Sequence, residues 1–116
     1  MASKNLRNSF PALIVLLQNI GNKKLVHSLL TQQAISKSIS EIVLNLLLGN
    51  VRLSAAEKSK LRPFQFELEQ LIRKDRSVES KSKLLLRKRQ GNILLKVLLV
   101  LVIPIVAVLL KNGERN

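Results

Sequence analysis

Apolar residues along this chain recur at three- and four-residue intervals, and no segment sustains period-two alternation, which predicts an all-α fold. The apolar run Phe10 to Leu17 follows Ser9 and contains Pro11, so a first helix is expected to open at Ser9 with the proline in its first turn. Gly21-Asn22 closes that helix, and Asn22 can cap the next one. Leu25, Val26, Leu29 and Leu30 form one apolar stripe; Ile35, Ile39, Ile42, Val43, Leu46 and Leu47 form a second. At ~100° per residue the two stripes are rotated by a quarter turn or more, which predicts a bend near Thr31 to Gln33. Gly49-Asn50 is a C-terminal stop signal. Ser54 to Glu57 reads S-x-x-E, a capping box that opens a short helix to about Leu61. Pro63 ends it or starts the next, whose core face is Phe64, Leu68, Leu71 and Ile72. Ser77 is the expected cap of a helix over Val78 to Arg89, anchored by Leu84, Leu85 and Leu86, and Gly91-Asn92 is the expected hinge beyond it.

The periodicity is lost in the eighteen residues from Ile93 to Leu110, fifteen of which are Ile, Leu or Val. As a helix they cover roughly 27 Å, near the ~30 Å thickness of a bilayer's hydrocarbon. The residues expected to insert are Ile93, Leu94, Leu95, Val97, Leu98, Leu99, Val100, Leu101, Val102, Ile103, Ile105, Val106, Val108, Leu109 and Leu110. Each contributes roughly −0.3 to −0.6 kcal/mol near mid-membrane, against about +2.5 to +3.5 for a central lysine. Lys96 lies in the first turn, where its stem reaches back to the headgroups. The competing expectation is a core helix wrapped by the others.

Charge sharpens this picture. Lys and Arg number 20 against 7 Asp and Glu, a net +13, which implies an anionic partner. Eight cations lie immediately before the apolar segment: Arg73, Lys74, Arg76, Lys81, Lys83, Arg87, Lys88 and Arg89. Asp75 and Glu79 reduce that group to +6. These eight are the expected contacts to anionic lipid or phosphate. A second group, Arg52, Lys58, Lys60 and Arg62 against Glu57, nets +3. On DNA such clusters give salt-dependent, non-specific binding. Base reading is not expected, because the three phenylalanines are the only aromatics and no zinc finger or persuasive helix-turn-helix signature is present.

Composition argues against several chemistries. Without cysteine there is neither disulfide nor thiolate metal site, and His27 is the only histidine. Glu67 and Glu69 diverge on a helix, and no glycine-rich phosphate loop appears. Lys4 and Arg7 precede an apolar run, but Gln18-Asn19-Ile20-Gly21 offers no small-x-small cleavage site. The expectation is a non-enzymatic protein with no cofactor, no metal and no small-molecule substrate.

The expected organisation is a helical domain over residues 1–72, a basic helix and hinge over 73–92, a hydrophobic helix over 93–111 and a tail over 112–116, with five or six short helices before the hydrophobic one. Three motifs in order mark the middle of the chain: Asn45-Leu46-Leu47-Leu48-Gly49-Asn50-Val51-Arg52-Leu53-Ser54, Lys58-Ser59-Lys60-Leu61-Arg62, and Ser80-Lys81-Ser82-Lys83-Leu84-Leu85-Leu86, followed by a glycine and the apolar tail. From Ile35 to Leu110 this pattern resembles the short basic proteins of Polinton/Maverick elements and adintoviruses. Gly91-Asn92 stands where relatives often carry two glycines. The resemblance implies an accessory or virion-associated protein, similar in composition to the basic core and membrane-active minor proteins of adenoviruses.

The leading expectation is therefore a protein that grips anionic lipid through its basic helix and inserts its last helix, with the N-terminal side cytoplasmic by charge bias. The alternatives are a soluble, nuclear DNA-condensing core protein with the apolar helix buried, and a scaffold that forms homo-oligomers through that helix.

Overall fold

A computed structural model describes residues 3–86 and 90–114; within the last helix it describes the side chains at 93–101, 103, 104, 106 and 107. No strand occurs among the described residues, which are helical apart from turns and short connecting segments. In chain order they form α1 (Lys4–Gln18), α2 (Lys23–Leu30), α3 (Gln33–Leu47), α4 (Ala55–Leu61), a 3-10 turn (Arg62–Phe64), α5 (Gln65–Leu71), α6 (Val78–Leu86) and α7 (Gln90–Glu114).

Local signals explain most boundaries. The Asn22 side chain accepts the Leu25 N–H at 3.2 Å and opens α2. After α3, Gly49 adopts φ +78°, which lets its N–H reach Leu46 O (3.2 Å) and the Asn50 N–H reach Asn45 O (2.9 Å). These two bonds are a Schellman stop, and the left-handed residue it requires is the glycine. Ser54 and Glu57 exchange the two capping-box hydrogen bonds, at 2.9 and 3.2 Å. The Ser77 hydroxyl accepts the Ser80 N–H at the start of α6.

Two boundaries depart from expectation. α1 begins at Lys4, capped by Ser3 accepting from Leu6, rather than at Ser9. Pro11 therefore lies inside the helix and removes the hydrogen bond that Arg7 O would otherwise receive. Both residues are exposed, so water can satisfy that carbonyl. α7 begins at Gln90, which places Gly91-Asn92 in its first turn instead of at a hinge. Any break between α6 and α7 falls at residues 87–89, outside the described residues.

One core runs through all of these elements. Leu13, Leu16, Leu30, Val43, Leu71 and Leu84 are fully enclosed. Leu94 and Leu95 of α7 are both 0% exposed, and Leu98, Leu99, Ile103 and Val106 join the same cluster. At ~100° per residue these six positions occupy about half the circumference of α7. That half packs against α1, α4 and α6. The other half carries Ile93 (54% exposed), Lys96, Val100 (48% exposed) and Pro104. Pro104, like Pro11, points away from the core, and it frees the carbonyl of Val100 on that outward side.

The apolar segment is thus divided into a core face and an outward face. Among the described residues no helix is long and apolar enough to cross a membrane. Of the fifteen residues expected to insert, Leu94, Leu95, Leu98, Leu99, Ile103 and Val106 instead fill the protein interior, because α1 and α6 present matching apolar faces. The side chains of Val102, Ile105, Val108, Leu109 and Leu110 lie outside the described residues.

α1 and α3 cross along a seam of small and polar groups. The Asn5 amide donates to Ala34 O (3.0 Å) and to Ser38 Oγ (2.9 Å), with Ser38 completely buried. A leucine at this seam would force the two helices apart. Ser38→Leu is expected to lose about 1–3 kcal/mol of stability by overpacking, read as a lower urea midpoint at unchanged slope. Ser59→Leu, on the exposed side of α4, should leave the midpoint in place.

Candidate anion-binding groove

The segment Ile72 to Ser77 turns the chain from α5 into α6, and its polar side chains hold the turn shut. Arg73 donates from Nε and Nη2 to the two carboxylate oxygens of Asp75, the first at 2.8 Å. That hydrogen bond holds the Asp75 carboxyl below the usual carboxylate range and raises Arg73. Arg76 reaches back to Gln70 Oε1 (3.1 Å) and forward to Ser80 Oγ (3.0 Å), tying the end of α5 to the start of α6. Its guanidinium is therefore fixed before any ligand arrives.

On α6, Lys81 crosses to α3 and donates to Ser40 Oγ at 3.2 Å. Ser40 in turn donates to Leu71 O at 2.7 Å, so the hydroxyl's orientation is set by α5. Three helices thus converge on one ammonium. Burial pushes the Lys81 pKa below the usual lysine value, because the charged form has lost part of its water. Such a charge gains from an incoming anion more than a fully hydrated lysine does.

Around this point α3 and the α5–α6 turn enclose a groove of about 460 Å³. Lys37, Lys74, Arg76 and Lys81 line it, along with Gln33 and Ser36 as neutral donors, Ser40, whose hydroxyl is already given to Leu71 O, and Leu44, Ile72 and Val78 as apolar wall. Glu41 is the carboxylate among the lining residues, and it accepts from the Ser3 N–H at 3.0 Å and from the Ser3 hydroxyl. Four cations against one already occupied carboxylate leave the groove at +3. Ammonium, guanidinium and hydroxyl donors facing one space are the donor set that binds phosphate-like oxyanions.

The eight expected contact residues therefore divide. Lys74, Arg76 and Lys81 meet in the groove. Arg73 is spent on Asp75, and Lys83 lies 3.8 Å from Glu79 one turn away on α6. Arg87, Lys88 and Arg89 lie outside the described residues. Lys37 was not singled out in the sequence, although Gln33, Lys37, Ser40 and Glu41 recur at helical spacing and mark the polar side of α3.

Other chemistry is sparse in the described region. Glu69 accepts from Gln65 at 2.9 Å, while Glu67 Oε2 is buried without a hydrogen-bond partner among the described residues. The two carboxylates do not form a pair. His27 is exposed on α2. No group of three or more His, Asp or Glu that could hold a metal ion occurs among the described residues. No family model, curated protein or solved structure matches the chain.

If the groove holds an oxyanion, Lys81 should report it. In the free protein its ε-carbon resonance should titrate below the usual lysine value, and inorganic phosphate should move that titration back up. Affinity for phosphate should correspondingly fall as pH rises through the lowered Lys81 pKa, because the neutral amine attracts no anion. A Lys81 resonance that titrates at the usual lysine value and ignores phosphate would remove it from the site.

Proposed function

We propose that this chain is a non-enzymatic, virion-associated or accessory protein that binds an anionic membrane through its basic groove, and that α7 enters the bilayer when the core opens. The observation that carries this reading is the two-sided character of α7. One half of the helix fills the core, while the opposite half exposes Ile93 and Val100 beside Lys96.

Magnitudes indicate how the two states connect. Each large aliphatic side chain fully buried in the core contributes about 1.5–3 kcal/mol. Six such residues from α7 are comparable with the ~5–15 kcal/mol that holds an ordinary domain together. The helix therefore does not leave while the rest stays folded. Hydrocarbon, however, is as apolar as a protein interior, so the residues of α7 lose little on moving from one to the other. The main cost falls on α1, α4 and α6, whose apolar faces would be left to water. Attraction of about 1 kcal/mol per cation near an anionic surface offsets part of it. A net charge of +13 makes that contribution large.

The ordered motifs between residues 45 and 86, with their resemblance to products of Polinton/Maverick elements and adintoviruses, support the virion setting. The cationic excess before α7 supports an orientation with the N-terminal side cytoplasmic.

Vesicle flotation with the full chain tests the reading. Val100→Asp lies on the outward half of α7, so the folded domain should keep its thermal transition, yet mid-membrane it costs about 2.5–3.5 kcal/mol. This variant should still bind anionic vesicles at low salt but be stripped from them by high salt, whereas the parent protein resists. Leu13→Ala weakens the core by about 2–5 kcal/mol and should increase dye release from those vesicles. Equal salt resistance of parent and Val100→Asp would refute insertion. Preference for duplex DNA over vesicles, with Val100→Asp silent, would favour the DNA-condensing alternative.

A further inference from the structure

A second concavity lies away from the oxyanion groove and has a different character. The Schellman stop at Gly49 sends the chain back so that Val51 is buried and Leu53 half-buried before the capping box starts α4. Between this return and α4 lies a groove of about 570 Å³. Its apolar lining includes Leu46, Leu47, Leu53, Leu61 and Leu68, and its cationic lining is Arg52, Lys58 and Arg62.

No carboxylate appears among the described residues that line it. Glu57, the nearest acidic residue in sequence to Lys58, is occupied by the Ser54 N–H at 2.9 Å. Lys58 and Arg62 stand four residues apart, where like charges on a helical surface repel each other. All three cations are exposed, and no ion pair to them is found among the described residues. The groove thus combines an apolar lining with concentrated positive charge, and its size lies within the ~300–1,000 Å³ of small-molecule sites.

We propose that this groove binds a single long-chain fatty acid anion, with its carboxylate at Arg52, Lys58 and Arg62 and its hydrocarbon chain over Leu46, Leu47 and Leu53. A nucleic-acid backbone would satisfy the cations but leave the leucines wet. A neutral lipid would cover the leucines and leave the cations unpaired. The fatty acid satisfies both, and its carboxylate relieves the Lys58–Arg62 repulsion. This binding is independent of the vesicle reading, since it needs neither α7 insertion nor the oxyanion groove.

The full chain titrated with a fluorescent polyene fatty acid, kept below its micelle concentration and without vesicles, tests the proposal. Saturation at one probe per chain is expected, with displacement by unlabelled palmitate. Arg62→Gln, a change at an exposed site, should weaken binding about tenfold by removing one charge-assisted contact. The methyl ester of the probe should bind the unaltered protein with similarly reduced affinity. Lys37→Gln in the other groove and Val100→Asp on α7 should bind as the unaltered chain does. Non-saturating uptake, equal affinity for acid and ester, or an equal loss in Lys37→Gln would overturn the proposal. So would displacement by an acidic amphipathic peptide but not by palmitate. Failure here with intact vesicle binding would remove only the fatty acid site; loss of salt-resistant flotation with intact probe binding would remove only insertion.

Discussion

The packing of one half of α7 against α1, α4 and α6 governs the rest of the molecule. Helices of seven to nine residues such as α2, α4, α5 and α6 are too short to persist alone in water. They are held because each presents apolar residues to a common interior, and α7 supplies six of the side chains that close it. The same packing fixes where polar groups can go. With Leu84 and Leu85 of α6 turned inward, Lys81 is carried to the edge of α3, where Ser40 meets it. The cationic groove is thus a by-product of core assembly.

Legibility in the sequence followed the range of the interaction. The cap at Asn22, the stop at Gly49-Asn50 and the Ser54–Glu57 box are contacts between residues no more than five apart, and each was readable directly. The start of α1 is not legible in the same way, because Pro11 has the character of a first-turn residue while the helix begins at Lys4. An interior proline is tolerated there because it faces solvent, a fact that depends on which side of α1 meets α3. The division of α7 was hidden for a related reason. Fifteen nearly equivalent aliphatic residues carry no polar stripe, so composition could not say which half would meet protein.

Counting charges along the chain marks a basic stretch but does not say which of its side chains meet. Arg73 is neutralised by a neighbour two residues away, while Lys37 and Lys81, far apart in sequence, share one wall. The second groove shows the same limit. Arg52, Lys58 and Arg62 read as a surface cluster until the Gly49 turn is seen to fold the Leu46-Leu47 end of α3 beneath them.

Pro104 carries a consequence for any state in which α7 meets lipid. In the folded protein the acceptor it orphans, Val100 O, can be served by solvent on the outward side. Acyl chains supply no such donor, and an unserved peptide oxygen there costs several kcal/mol. Another protein group would have to supply the donor. The proline therefore sets a condition on any state in which that side of α7 leaves solvent: a donor must come with it.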